Sequence, residues 1–173
     1  KKNNCVAVNS ATSALELSYE LAGIADGDEV IAPVLTFNGA NLPIVRRRAK
    51  IVFADINPET FNLDSADVEK RITNKTKAII FVHFGGCNDG LSEIISLGQK
   101  YNIPVIEDAA QAIGSSNWGH ADFTIVSFQA IKMLTTGDGG MLICKNEIDA
   151  KHAKRLRWFG MDREERHLTG DSD

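Results

Sequence analysis

The sequence predicts an α/β fold: a three-layer α/β/α domain built on a mostly parallel sheet. Strand-like and helix-like periods alternate along the chain. The strand runs are short and almost wholly apolar, the pattern of strands covered on both faces. The segments between them are long enough for crossover helices, and no repeat or low-complexity linker interrupts the alternation.

Taken in order, Cys5-Val6-Ala7-Val8 is a short apolar run. The polar turn Asn9-Ser10-Ala11-Thr12-Ser13 follows and opens a helical pattern to Leu21. Gly27-Asp28 is a turn, and Glu29-Val30-Ile31-Ala32 reads as a strand stopped by Pro33. A helix is expected over 38–46, then a strand over Lys50-Ile51-Val52-Phe53-Ala54. Asp64 or Ser65 can cap a helix running to about Ile72, because a short side-chain oxygen accepts a first-turn N–H. A β-branched strand is expected over 78–83 and a helix over 90–101. Pro104-Val105-Ile106-Glu107-Asp108 is a buried strand ending on a carboxylate. Strands over 123–128 and 140–144 and a helix over 147–157 complete the pattern.

Composition removes several function classes. Net charge is −4 and no long basic run occurs, so nucleic acid is not an expected partner. Arg46-Arg47-Arg48 reads as a solvated helix end or a subunit contact. No apolar run approaches the ~20 residues needed to span a bilayer. Cys5, Cys87 and Cys144 are far apart and form no metal-binding pattern, and Cys5 and Cys144 are expected to pack as small hydrophobes. A reducing, cytoplasmic compartment is the natural reading.

In a mostly parallel sheet, ligands bind at the carboxyl edge, where strands end and helices begin. Four features fall there. The turn at Ser10–Ser13 offers first-turn amides and a helix dipole to a phosphate, although a Ser/Thr cap without ligand has the same appearance. Asp108 ends an apolar strand, where a carboxylate is costly unless paired. It is either a cap or an acceptor for a cationic group such as a pyridinium nitrogen. Ser127-Phe128-Gln129-Ala130-Ile131-Lys132 brings a lysine into apolar company ahead of the glycine-rich Thr135-Thr136-Gly137-Asp138-Gly139-Gly140. A lysine held among apolar groups becomes a usable amine nucleophile. Thr36-Phe37-Asn38 sets an aromatic just beyond a strand end, where it packs as core or stacks on a planar ring. Together they supply what a pyridine cofactor needs: an amine, a carboxylate for the ring nitrogen, a phosphate cup and an aromatic face.

Further stretches complete a pattern: Gly27-Asp28-Glu29-Val30-Ile31, Phe53-Ala54-Asp55-Ile56, Phe61-Asn62-Leu63, Thr76-Lys77-Ala78-Ile79-Ile80, Val82-His83 and Glu107-Asp108-Ala109-Ala110-Gln111. With these the sequence resembles the DegT-type family of nucleotide-sugar aminotransferases, nearly to Met161. The resemblance implies the large domain of fold type I transferases, dependent on pyridoxal 5'-phosphate (PLP). Carried onto matching positions, it makes Lys132 the catalytic Schiff-base lysine, with Asp108 at the pyridine nitrogen and Gln111 near the ring hydroxyl. Thr12, Ser13 and Ser127 would hold the phosphate, and Phe37 would stack on the ring. His83 would be either packing or a site-edge residue.

The resemblance also implies a keto group on a nucleotide-linked sugar as acceptor and an amino acid, glutamate, as donor. A homodimer or higher homo-oligomer is expected. Residues 1–161 would form the PLP-binding large domain, incomplete at its N-terminus, and the polar tail 162–173 would begin an absent C-terminal region. The segment 114–122 is shorter than the loop relatives carry before the next strand. A truncated, non-catalytic remnant of the fold is one alternative. A PLP-dependent sugar dehydratase is another, but such relatives replace the lysine with histidine. A nucleotide-binding α/β protein is disfavoured, because no phosphate-binding glycine motif follows a strand.

Overall fold

A computed structural model describes residues 4–161, so the tail 162–173 lies outside the described residues. Seven strands and five α-helices alternate: β1 (Cys5–Val8), α1 (Ala11–Leu21), β2 (Glu29–Pro33), α2 (Asn38–Arg46), β3 (Lys50–Ala54), α3 (Ser65–Arg71), β4 (Thr76–Val82), α4 (Leu91–Tyr101), β5 (Val105–Asp108), β6 (Phe123–Ser127), β7 (Gly140–Cys144) and α5 (Glu147–Arg157). The strands form one sheet in the order β1-β7-β6-β5-β4-β2-β3. Its four pairings from β6 to the β3 edge, β5–β6, β4–β5, β2–β4 and β2–β3, are parallel. Only β7 runs backwards, antiparallel to both β1 and β6. The three-layer, mostly parallel architecture expected from the alternation is present.

Local chemistry explains where the helices begin. Ser10 caps α1 by accepting the Ser13 N–H, Asp64 caps α3 through the Ala66 and Asp67 N–H groups, and Asn146 caps α5 through Asp149 N–H. Each cap satisfies donors that the first turn of a helix cannot bond internally.

Alternation along each strand divides the core in two. One face packs Ala14, Leu15 and Tyr19 of α1, Ile44 of α2 and Ala150 of α5 over Val30, Ile80 and Ile106. The other packs Val68 of α3 and Leu91 and Ile94 of α4 over Ile31, Ile79 and Phe81. The helices thus cover both faces.

The arginine cluster anchors one helix to the next. Arg46 pairs with Glu16 at 3.1 Å and Arg47 with Glu20 at 2.6 Å, joining α2 to α1, while Arg48 pairs with Asp26. Cys144 packs in the core as expected, but Cys5 is only half-buried because β1 is an edge strand. Among the described residues no helix is long and apolar enough to cross a membrane.

This topology brings one set of ends together. The carboxyl ends of β1, β2, β4, β5 and β6 lie at one edge of the sheet, because those strands run the same way. Reversed β7 brings its first residue, Gly140, to the same edge, paired with both Val8 and Ser127.

Candidate active site

A cavity of about 360 Å³ opens at that edge. Thr12, Phe37, Asp108, Gln111, Ser127 and Lys132 all line it, although they lie on four separate segments of the chain. Ser13 does not. Its hydroxyl bonds to Asn9 and Ser10, and it faces a separate groove between α1 and the end of α5. The cap geometry turns it away, and Ser10 takes the place on the cavity wall.

The phosphate turn is held by close backbone packing. A Cβ on Gly140 would stand 2.4 Å from the Ser10 carbonyl carbon and 2.5 Å from Ala11 N. Both are backbone atoms, which cannot swing aside. Gly140→Ala is therefore expected to displace the Ser10–Ala11 turn and to destabilise the fold by roughly 1–3 kcal/mol or more, read by thermal unfolding. A second close approach joins Thr12 to the aromatic. A Cβ on Gly39 would lie 2.9 Å from both Thr12 Oγ1 and Phe37 Cδ1. Phe37 is 78% exposed. It does not pack in the core, and its ring is available to a ligand in the cavity.

Asp108 ends β5 and is buried, with 8% exposure. Its Oδ1 accepts the Ala110 N–H at 3.0 Å, so it does cap a turn, while Oδ2 has no hydrogen bond among the described residues. Burial pushes the Asp108 carboxyl above its ordinary value, opposed by the Ala110 N–H and by the charges of Lys132 and His83. Such a group is a strong acceptor for a cation that enters the cavity.

Lys132 stands opposite, in the loop between β6 and β7. Thr136 N–H donates to Phe128 O and Phe128 N–H to Gly139 O, which closes this loop on itself. Among the described residues the Lys132 amine has no hydrogen bond and no ion pair. The expected apolar company is not its enclosure: Ile131, which also lines the cavity, and Met133 are 83% and 84% exposed. Lys132 itself is half-buried on the cavity wall.

Gln111 accepts the Gly85 N–H at 2.9 Å, which ties the segment after β5 to the turn after β4. His83 lines the same cavity and is fully buried. Thr36 and Asp138 also line it; both belong to stretches noted in the sequence, where neither was assigned a role. Among the described residues the buried hydroxyl of Thr36 has no partner, a signal visible only in three dimensions.

Comparison with known proteins narrows what this arrangement is. Residues 1–172 match the DegT/DnrJ/EryC1/StrS aminotransferase family. The chain belongs to that family. GDP-perosamine synthase of Caulobacter vibrioides is 38% identical over 169 residues, which are 95% of this chain and 46% of that protein. The aminotransferase TlmJ of Streptoalloteichus hindustanus has a crystal structure that superposes with a TM-score of 0.89 at 36% identity, over 95% of this chain and 46% of that one. NtdA of Bacillus subtilis, solved with its cofactor PMP bound, superposes with a TM-score of 0.85 at 33% identity, over 89% of this chain and 36% of that one. This DegT-family chain thus spans less than half the length of the relatives it matches.

Proposed function

We propose that this DegT-family chain is the PLP-binding unit of a nucleotide-sugar aminotransferase. The observation that carries the reading is one cavity in which, among the described residues, a lysine amine has no hydrogen bond and a buried carboxylate has an oxygen to spare. The residues fit the group. A cationic ring nitrogen at Asp108 would offset the burial that now disfavours its charge. The exposed Phe37 ring would lie against a planar ligand. The N-terminus of α1, with Thr12 and with Ser127 nearby, suits a phosphate, and Ser13 would contribute through the first turn of the helix. Gln111, positioned by Gly85, would stand near the ring hydroxyl.

Bound PLP supplies an electron sink through which an amino group passes between two carbonyl compounds. The chain's own residues do the rest. Lys132 would attach the cofactor and move the proton at the substrate carbon. Asp108 would keep the ring nitrogen protonated. The donor is glutamate, and the acceptor is the keto group of a nucleotide-linked sugar, in keeping with the name of the GDP-perosamine relative. The working form is a homodimer. Residues 1–161 make up the large domain.

The test is a half-reaction. Protein loaded with PLP and mixed with glutamate should release one 2-oxoglutarate per bound cofactor. Asp108→Asn should bind PLP but slow this release by about 10²-fold or more. The same variant should be more stable than the parent when no cofactor is present. An acid whose folded value is raised loses stability as pH rises through the window above its ordinary value, and asparagine removes that loss. Unaltered release by Asp108→Asn would remove the carboxylate from the account.

A further inference from the structure

One buried pair has no part in the chemistry above. His83 and Glu107 are both fully buried, with His83 Nε2 2.7 Å from Glu107 Oε1. Every other partner of Glu107 is a donor. Gly119 N–H reaches Oε1 at 2.8 Å, and Oε2 accepts from His120 N–H at 3.1 Å, Ala121 N–H at 3.2 Å and the Thr124 hydroxyl at 3.0 Å. Three of these are backbone N–H groups that can only donate, and they point at both oxygens, so the set favours the carboxylate over a carboxyl that would have to keep its hydrogen toward His83 or the Thr124 hydroxyl. Burial pushes Glu107 up, but the His83 bond and the backbone N–H groups outweigh it and hold the carboxyl below its ordinary value.

The far side of the imidazole also meets an acceptor. His83 Nδ1 lies 3.1 Å from the Cys87 carbonyl oxygen. With Glu107 as the carboxylate, both ring nitrogens face acceptors, and an imidazole that donates from both nitrogens is an imidazolium.

Its place in the sheet gives that charge a target. Glu107 and Asp108 are consecutive on β5, so their side chains leave opposite faces. His83 follows β4 directly, and its N–H donates to the Asp108 carbonyl at 3.1 Å. The imidazolium is bonded to Glu107 on the other face of β5 and acts on the Asp108 carboxylate through its charge, as Lys132 does from the cavity wall. Lys132 is committed to the cofactor once one is attached. His83 is the cation that stays.

We propose that His83 is a positioning residue, a buried cation fixed by Glu107 and the Cys87 carbonyl, which holds Asp108 ionised for a cationic ligand nitrogen. The role toward a ligand rests on the PLP reading above. The charge of His83 and its action on Asp108 do not, and both can be measured without cofactor.

The experiment is NMR of the ligand-free protein. Imidazole ¹⁵N–¹H spectra of the parent, with His83 assigned by its absence in His83→Gln, should show both ring nitrogens protonated near pH 7. A bare ring nitrogen on His83 near pH 7 would overturn the proposal, and this measurement needs no folded variant. Side-chain ¹³C spectra should then show the Asp108 carboxyl titrating at higher pH in His83→Gln than in the parent. Glutamine keeps a neutral donor and removes the charge, so a merely structural histidine would leave that titration unmoved, and an unmoved titration refutes the role. Failure of PLP to attach at Lys132 would overturn the cofactor reading while leaving both spectra as they stand.

Discussion

Lys132→Ala is expected to abolish covalent capture of PLP and to lower amino transfer by about 10²–10⁴-fold or more, the range lost when a positioned proton-transfer group is removed. Two functions would go at once, because under the proposal the same amine would attach the cofactor and handle the substrate proton. The structure favours a clean result. Lys132 makes no hydrogen bond or ion pair through its amine among the described residues, and it is only half-buried. Its removal should therefore leave the fold intact. The loop holding it is closed by backbone bonds from Phe128 to Gly139 and Thr136, none of which uses the lysine side chain. Equal melting temperatures for variant and parent, with activity lost, is the expected pair of readings. Retained activity would move the chemistry to another residue.

Glu107→Ala should act in the opposite way, on stability first. Five donors converge on this carboxylate: His83, three backbone N–H groups and the Thr124 hydroxyl. Deleting it leaves them buried without an acceptor, and breaking a buried pair from one side costs about 3–5 kcal/mol. The sign with pH follows from the depressed carboxyl. Its stabilisation is fully present above the ordinary glutamate value of about 4.3 and fades as pH falls through the lower, folded value. Denaturant titrations should show a large gap between parent and variant at neutral pH and a narrowing gap in acid. A small gap at neutral pH would mean that water or a shifted backbone replaces the carboxylate.

Much of the fold was legible because its signals are local. Ser10 and Asp64 announce helix starts by side-chain chemistry alone, and the apolar runs of β4 and β5 mark fully buried strands. The reversal of β7 was not legible. Val6 and Leu142 pack in the same core whichever way the strand runs, and direction leaves no mark on a short apolar run.

The site shows the same division. Phe37, Asp108, Ser127 and Lys132 stand at strand ends or in the loops that follow, which the order of elements gives directly. Ile131 and Met133 misled, because an apolar run reads alike whether it packs inward or faces solvent. Ser13 was assigned beside Thr12, yet one step round a helix turns a side chain through about 100°, away from the cavity. The His83–Glu107 pair is 24 residues apart in sequence and depends on the β4–β5 pairing for its contact. No local pattern carries it.

The most direct test of the whole account is a peptide map. The protein is incubated with PLP, reduced with borohydride, digested and searched for the modified lysine. The account predicts one dominant labelled site, Lys132, in the loop between Ser127 and Gly140, with label that competing inorganic phosphate diminishes. Label spread over surface lysines, or concentrated on a lysine outside the cavity, would contradict it.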